Sequence, residues 1–381
     1  MIRNLLLTAS VLALTGAVAM PVQAQSAAGA YLAGRHAAVR SDFAESAKYY
    51  GEALALDPKN PEFLESTVLA LLSLGDIDRA LPLARIMAAS DQPGQIAYLV
   101  TTAGMAQEEN YAGLIEQSAD EGGIGPWVDG LVKAWAHVGV GDMTAAITQF
   151  DDLSKEAGMQ GFVLYHKALA LASVGDYEGA EAIFASNQAG SAGQTRRGVI
   201  ARAEILGQLG RNEQALALLT DSFGASSDPE LDGLVAALQG EGQVAFTQIP
   251  DAKAGIAEVF FTFAAVLRNE SAGDYYVLLY SRIARYLRPD HIDDLLLTAD
   301  LLENIGQYEL AIEDFDETIS LAPQHAYAYI YRANGYYMLG QYERAIEDYD
   351  TGFKLDSSLE GEHRQWRDKA AALLPSTTPP T

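Results

Sequence analysis

Gly306-Gln307-Tyr308-Glu309-Leu310-Ala311-Ile312-Glu313-Asp314-Phe315 returns 34 residues later as Gly340-Gln341-Tyr342-Glu343-Arg344-Ala345-Ile346-Glu347-Asp348-Tyr349. Pro289 and Pro323 keep the same spacing. Each copy opens on a helix-stopping glycine and continues with apolar residues at helical intervals. A period of this length marks a stacked repeat. One repeat cannot bury its apolar face alone, so several must stack.

These residues resemble the tetratricopeptide repeat. The repeat from Ile292 supplies its small, glycine, aromatic and proline positions as Ala299, Gly306, Tyr308, Ala311, Phe315, Thr318 and Pro323. The repeat from Ala326 supplies Ala333, Gly340, Tyr342, Ala345, Tyr349 and Gly352, with Ser357 where proline is expected. Small residues let the paired helices approach closely, and the aromatics fill the space between pairs. Weaker copies begin at Ala27, Pro61, Trp127, Gly161, Arg196 and Glu258, and Gln95 to Gly125 is a degenerate member. The resemblance implies an all-α, right-handed solenoid of stacked antiparallel helix pairs. It divides the chain into an array over 25–229, an irregular joint over 230–257 and a second array over 258–359. A capping helix over 360–374 and a disordered tail over 375–381 follow. The joint carries Gly240, Gly242, Pro250 and Gly255, residues poor in helix interiors. It reads as a joint between arrays, with an inserted pair of strands or an atypical helix pair as the alternatives.

The resemblance also implies a binding face. In the family, the second, fifth, ninth, twelfth and thirteenth residues of each first helix line the groove. Here they are Tyr327, Ile330, Asn334, Tyr337 and Met338 in one repeat, and Asp293, Leu296, Asp300, Glu303 and Asn304 in the one before. Thr262, Val266 and Asn269 stand beside them. The face is aromatic on one side and acidic on the other, which suits a protein or peptide segment of basic or apolar character. Asn334 lacks the neighbouring Lys or Arg that a grip on a terminal carboxylate needs.

Composition narrows the function further. Acidic residues outnumber basic ones 51 to 25, for a net charge of -26. Nucleic acid demands a basic face, and an anionic membrane surface would repel this chain. Without cysteine there is no thiolate metal site, disulfide or thiol nucleophile. No phosphate-binding loop or nucleophile elbow occurs. His291 lies among Asp290, Asp293 and Asp294, an arrangement better explained by a helix start, where carboxylates meet the positive dipole end. The clusters Glu313-Asp314-Asp316-Glu317 and Glu347-Asp348-Asp350 recur at the repeat period and read as an exposed outer face. No catalytic residue, metal or cofactor is expected.

Residues 1–24 set the destination. Arg3 precedes an uncharged apolar run from Leu5 to Met20, and Val22-Gln23-Ala24 offers small residues where a signal peptidase cuts. The expectation is export, with cleavage near Ala24, to the periplasm, and no membrane insertion afterwards. The combined reading is a non-catalytic scaffold that binds a protein or peptide in envelope assembly, secretion or cell-wall complexes. A solute- or glycan-binding protein, or a non-catalytic subunit of an envelope enzyme, is the alternative.

Overall fold

The computed structural model describes residues 26–374, except 92, 118–122, 157, 225–227, 241, 243 and 270–272. The expected signal segment and C-terminal tail lie outside the described residues. Among those described there are twenty α-helices and no strand.

The first half is a run of helix pairs. They are α1 (Ala27–Val39) with α2 (Phe43–Leu56), α3 (Pro61–Leu74) with α4 (Ile77–Ala88), α5 (Gln95–Gln107) with the short α6 (Tyr111–Glu116), α7 (Pro126–Gly139) with α8 (Met143–Leu153), α9 (Gln160–Ser173) with α10 (Tyr177–Ala185), and α11 (Arg196–Gln208) with α12 (Asn212–Phe223). A single helix, α13 (Pro229–Gln239), follows. The second half comprises α14 (Ala252–Asn269) with α15 (Asp274–Leu287), α16 (Ile292–Asn304) with α17 (Tyr308–Leu321), α18 (Ala326–Met338) with α19 (Tyr342–Leu355), and α20 (Glu360–Leu373). Successive helices pack on one another from α1 to α13 and again from α14 to α20, and α20 closes the end against α18 and α19.

Local chemistry sets these boundaries. Gly306 and Gly340 sit at φ 77 and 74 in the turns between paired helices, a left-handed conformation that costs other residues energy. Side chains of Asn60, Asp142, Asp176 and Asp228 accept backbone N–H bonds at the starts of α3, α8, α10 and α13, satisfying donors that the helix leaves open.

Three expectations change. The stretch 230–257 is not irregular throughout, because α13 occupies its first third and α14 starts six residues before Glu258. Between the two helices the described residues of 240–251 are irregular, and Thr247 pins them to the first array. The buried Glu204 carboxylate accepts the Thr247 N–H at 2.9 Å and the Thr247 hydroxyl at 2.6 Å. The acidic clusters are not a uniformly solvated face either. Asp314 and Asp348, one repeat apart, are buried. Arg282 and Arg285 flank Asp314, and Arg332 holds Asp348 at 2.7 Å. Burial is tolerated because each carboxylate meets a guanidinium.

The third change concerns the path of the chain. A solenoid's repeats touch only their neighbours. Here α14 and α15 fold back on the first array, where α14 packs on α5, α7 and α9, and α15 on α3 and α5. One apolar core therefore runs from Ala30 to Leu287.

Candidate functional site

Much of the first array's concave side is covered by α14 and α15, which leave its α1–α3 end open. Among the family's groove positions in that array, Ser73, Trp135, Phe162, Tyr165 and Arg197 each meet α14 or α15. The Ser73 carbonyl accepts Arg282 Nε at 3.2 Å. The Trp135 ring covers Gly255, where a Cβ would fall 2.2 Å from it. Phe162 and Phe263 meet edge to face at 5.0 Å. Trp135 Nε1 donates to His166 Nδ1 at 3.3 Å, which leaves His166 Nε2 to donate to the Thr262 hydroxyl at 3.1 Å. The Thr262 hydroxyl in turn donates a hydrogen bond to the Glu258 carbonyl at 2.6 Å. Burial holds His166 down at about 4, so the ring is neutral in this chain of bonds.

An ionic cluster ties the arrays together. Tyr165 Oη donates to Glu258 Oε1 at 2.8 Å, and Arg197 Nη2 lies 2.8 Å from Glu258 Oε2. Arg197 and Arg196 both reach Asp293, at 3.3 and 2.8 Å, and Arg196 also binds Asp228 and Glu230 at 2.7 Å each. His291 does cap its helix: Nδ1 accepts the Asp294 N–H at 3.2 Å. No group of metal-ligating side chains able to hold an ion occurs among the described residues. Asp293 is thus spent on intramolecular pairing, not turned to a partner.

The second array keeps an accessible face on α16, α18 and α20. Tyr327 is 48% exposed and Met338 54%. Asn334 accepts the Tyr349 hydroxyl at 2.5 Å, and Tyr337 packs edge-on against Trp366 of α20 at 5.5 Å. Leu296 is half-buried against the core. Ile330 is a correction: it is fully buried, because its side chain fills the space left by Gly352 of α19. Two contributors escaped the sequence reading. Tyr331 stacks between Tyr327 and Phe315, each at 6.3 Å, and Trp366 arrives from outside the repeats. Tyr331 lies one helical turn from Tyr327, which was the available signal.

The carboxylates of this face differ in state. Asp300 pairs with Arg268 at the end of α14. Glu303, one turn on, has no cationic partner among the described residues. Burial, and then repulsion from Asp300, push it up to about 8. Asp300, Glu303 and Glu362 all act on the Tyr331 hydroxyl, whose pKa is raised, mostly by burial. A half-buried carboxylate without a cation, set among tyrosines, is a ready place for a lysine or arginine side chain.

Family models of the tetratricopeptide repeat match residues 31–94, 295–325 and 326–359. The chain is a tetratricopeptide-repeat protein, and the class is one of protein-interaction scaffolds. Among solved structures it is similar to yeast Tom70, at 14% identity over 92% of this chain and 90% of that one, with a TM-score of 0.30. It is also similar to the TPR2AB domain of yeast Sti1 in complex with a pHSP90 partner, at 14% identity over 91% and 97%, TM-score 0.27. The MamA protein is similar at 13% identity over 54% and 96%, TM-score 0.26. No curated protein matches the chain.

Proposed function

We propose that this protein is a non-catalytic adaptor of the bacterial periplasm that holds a protein or peptide segment on the α16–α18–α20 face, within an envelope assembly, secretion or cell-wall complex. The observation that carries the choice of face is the seating of α14 and α15 on the first array. With most of that surface covered by the chain itself, the second array presents accessible aromatic positions such as Tyr327. The partner segment carries lysine or arginine spaced by apolar residues. The cation answers Glu303, and the apolar side chains answer Tyr327 and Met338. Export rests on residues 1–24, and no described helix is long and apolar enough to cross a membrane.

The test uses the mature chain and two fluorescent peptides, one alternating Lys with Leu and one alternating Glu with Leu. Saturable binding of the first alone, weakened at least about tenfold by Tyr327→Ala with Met338→Ala, supports the reading, since exposed aromatic anchors carry much of such interfaces. Equal binding of both peptides, or no loss in the double variant, overturns the site. Turnover of a substrate by the purified chain overturns the non-catalytic role. Cell fractionation with N-terminal sequencing checks cleavage after Ala24.

A further inference from the structure

The α15 helix does not fill the first array to its end. Beyond Tyr275 lies a pocket of about 310 Å³ between α1, α2, α3 and the start of α15. Phe43, Leu69, Ala70 and Val39 give it apolar walls, and Tyr50, Ser66 and Tyr275 supply hydroxyls. Its one cation is Arg35. Among the described residues every other arginine except Arg40 meets a carboxylate, carbonyl, hydroxyl or side-chain amide. Examples are Arg79 with Asp76, Arg202 with Glu181, Arg282 with the Ser73 carbonyl and Arg367 with Asp350. The chain has twice as many acids as bases, and Arg35, an exposed residue of the cavity's lining, is left to solvent and the nearby Tyr50 hydroxyl. Glu62, the nearby carboxylate, is held by the Tyr31 hydroxyl at 2.6 Å.

We infer that this pocket binds a small organic acid, its carboxylate on Arg35 and the hydroxyls, its compact apolar body against Phe43 and Leu69. Arg35 and the hydroxyls of Tyr50, Ser66 and Tyr275 line a cavity whose other walls are apolar, the mixture of donors and apolar surface that carboxylate recognition uses. The size selects a small molecule over a peptide. Phe43 and Tyr275, with ring centroids 6.5 Å apart, bring α2 and α15 together where an extended chain would have to continue along the array. The site is separate from the α16–α18–α20 face, and it stands or falls without it.

Calorimetric titration of the full mature chain tests this with four probes: phenylacetate, hexanoate, neutral phenylacetamide, and N-acetyl-alanyl-phenylalanine as a peptide end. Saturable binding of phenylacetate or hexanoate is expected, with phenylacetamide at least about tenfold weaker, the loss of one charged hydrogen-bonded contact. Arg35→Gln should abolish the preference for the acid. Arg40→Gln, which removes the same charge from an exposed site nearby, should keep it. Circular dichroism confirms that both variants fold. Four results would overturn the inference: no saturation by either acid at millimolar concentration, equal binding of the amide, equal loss in both variants, or tighter binding of the peptide than of the small acids.

Discussion

Arg197 and Glu258, 61 residues apart in the chain, form a buried ion pair of 2.8 Å that fastens α11 to α14. Glu258 is inaccessible to solvent; burial works to raise its pKa, but Arg197 and then His291 hold the carboxyl well below the ordinary range. The two arrays are joined at this point by charge as well as by apolar packing. Glu258→Gln leaves Arg197 buried with only Asp293 to face. Breaking such a pair costs about 3–5 kcal/mol. Urea unfolding of the variant should show a loss of that order in a single transition across both arrays. A loss under about 1 kcal/mol would mean that the pair does not hold the arrays together.

Gly255 is a point of close approach between α14 and Trp135 of the first array. Alanine elsewhere in a helix gains up to about 1 kcal/mol over glycine. At Gly255 the added Cβ lands on the Trp135 ring, so Gly255→Ala should be destabilising by about 1–3 kcal/mol. Gly233 of α13 is the control, since nothing lies within 4 Å of its Cβ position; Gly233→Ala should be neutral or stabilising. Thermal unfolding of the two variants separates backbone propensity from packing. Equal behaviour would contradict the seating of α14 on Trp135.

Glu303 gives the partner face a pH dependence with a definite sign. Its folded pKa, about 8, lies above the ordinary carboxylate value of 4.5. The folded state therefore holds the proton more tightly, and this contribution to stability is present below pH 4.5 and lost as pH rises through about 8. Glu303→Gln mimics the protonated form. Its stability relative to wild type should grow between pH 5 and about 9. A cationic peptide favours the ionised form, so its binding should tighten over the same window and release a proton, measurable as a buffer-dependent heat. A flat difference in stability would place Glu303 in water.

His166 works in the opposite direction. Burial lowers it from 6.5 to about 4, so the unfolded chain takes up a proton that the folded one refuses. Stability from this group is present above pH 6.5 and lost as pH falls toward about 4. Nitrogen chemical shifts should show a neutral ring down to about pH 4, with the proton on Nε2. A ring that titrates near 6.5 would remove the Trp135–His166–Thr262 chain of bonds.

How much of this could be read from the chain follows from the range of each interaction. The helix pairs, their glycine turns and the cap α20 are local: Gly306 and Gly340 specify their turns through their own backbone freedom. The exposed tyrosine at 327 was legible for the same reason, because helical spacing fixes which side chains share a face. Ile330 shared that spacing and was still buried, because the decision lay with Gly352, across the helix pair. The charged residues of α17 and α19 were harder still. Asp314 and Asp348 look like their solvated neighbours until the arginines of α15 and α18 are placed beside them.

By itself the sequence determined a tetratricopeptide-type stack, since a 34-residue period with glycine and proline punctuation has one economical helical solution. The tertiary structure alone decided which of the family's groove positions stay accessible. Seating α14 and α15 on the first array depends on Gly255 meeting Trp135, 120 residues before it, and on Glu258 meeting Tyr165 and Arg197. Such contacts leave no periodic trace in the chain, because apolar and charged helices of this kind are compatible with either neighbour until packing selects one.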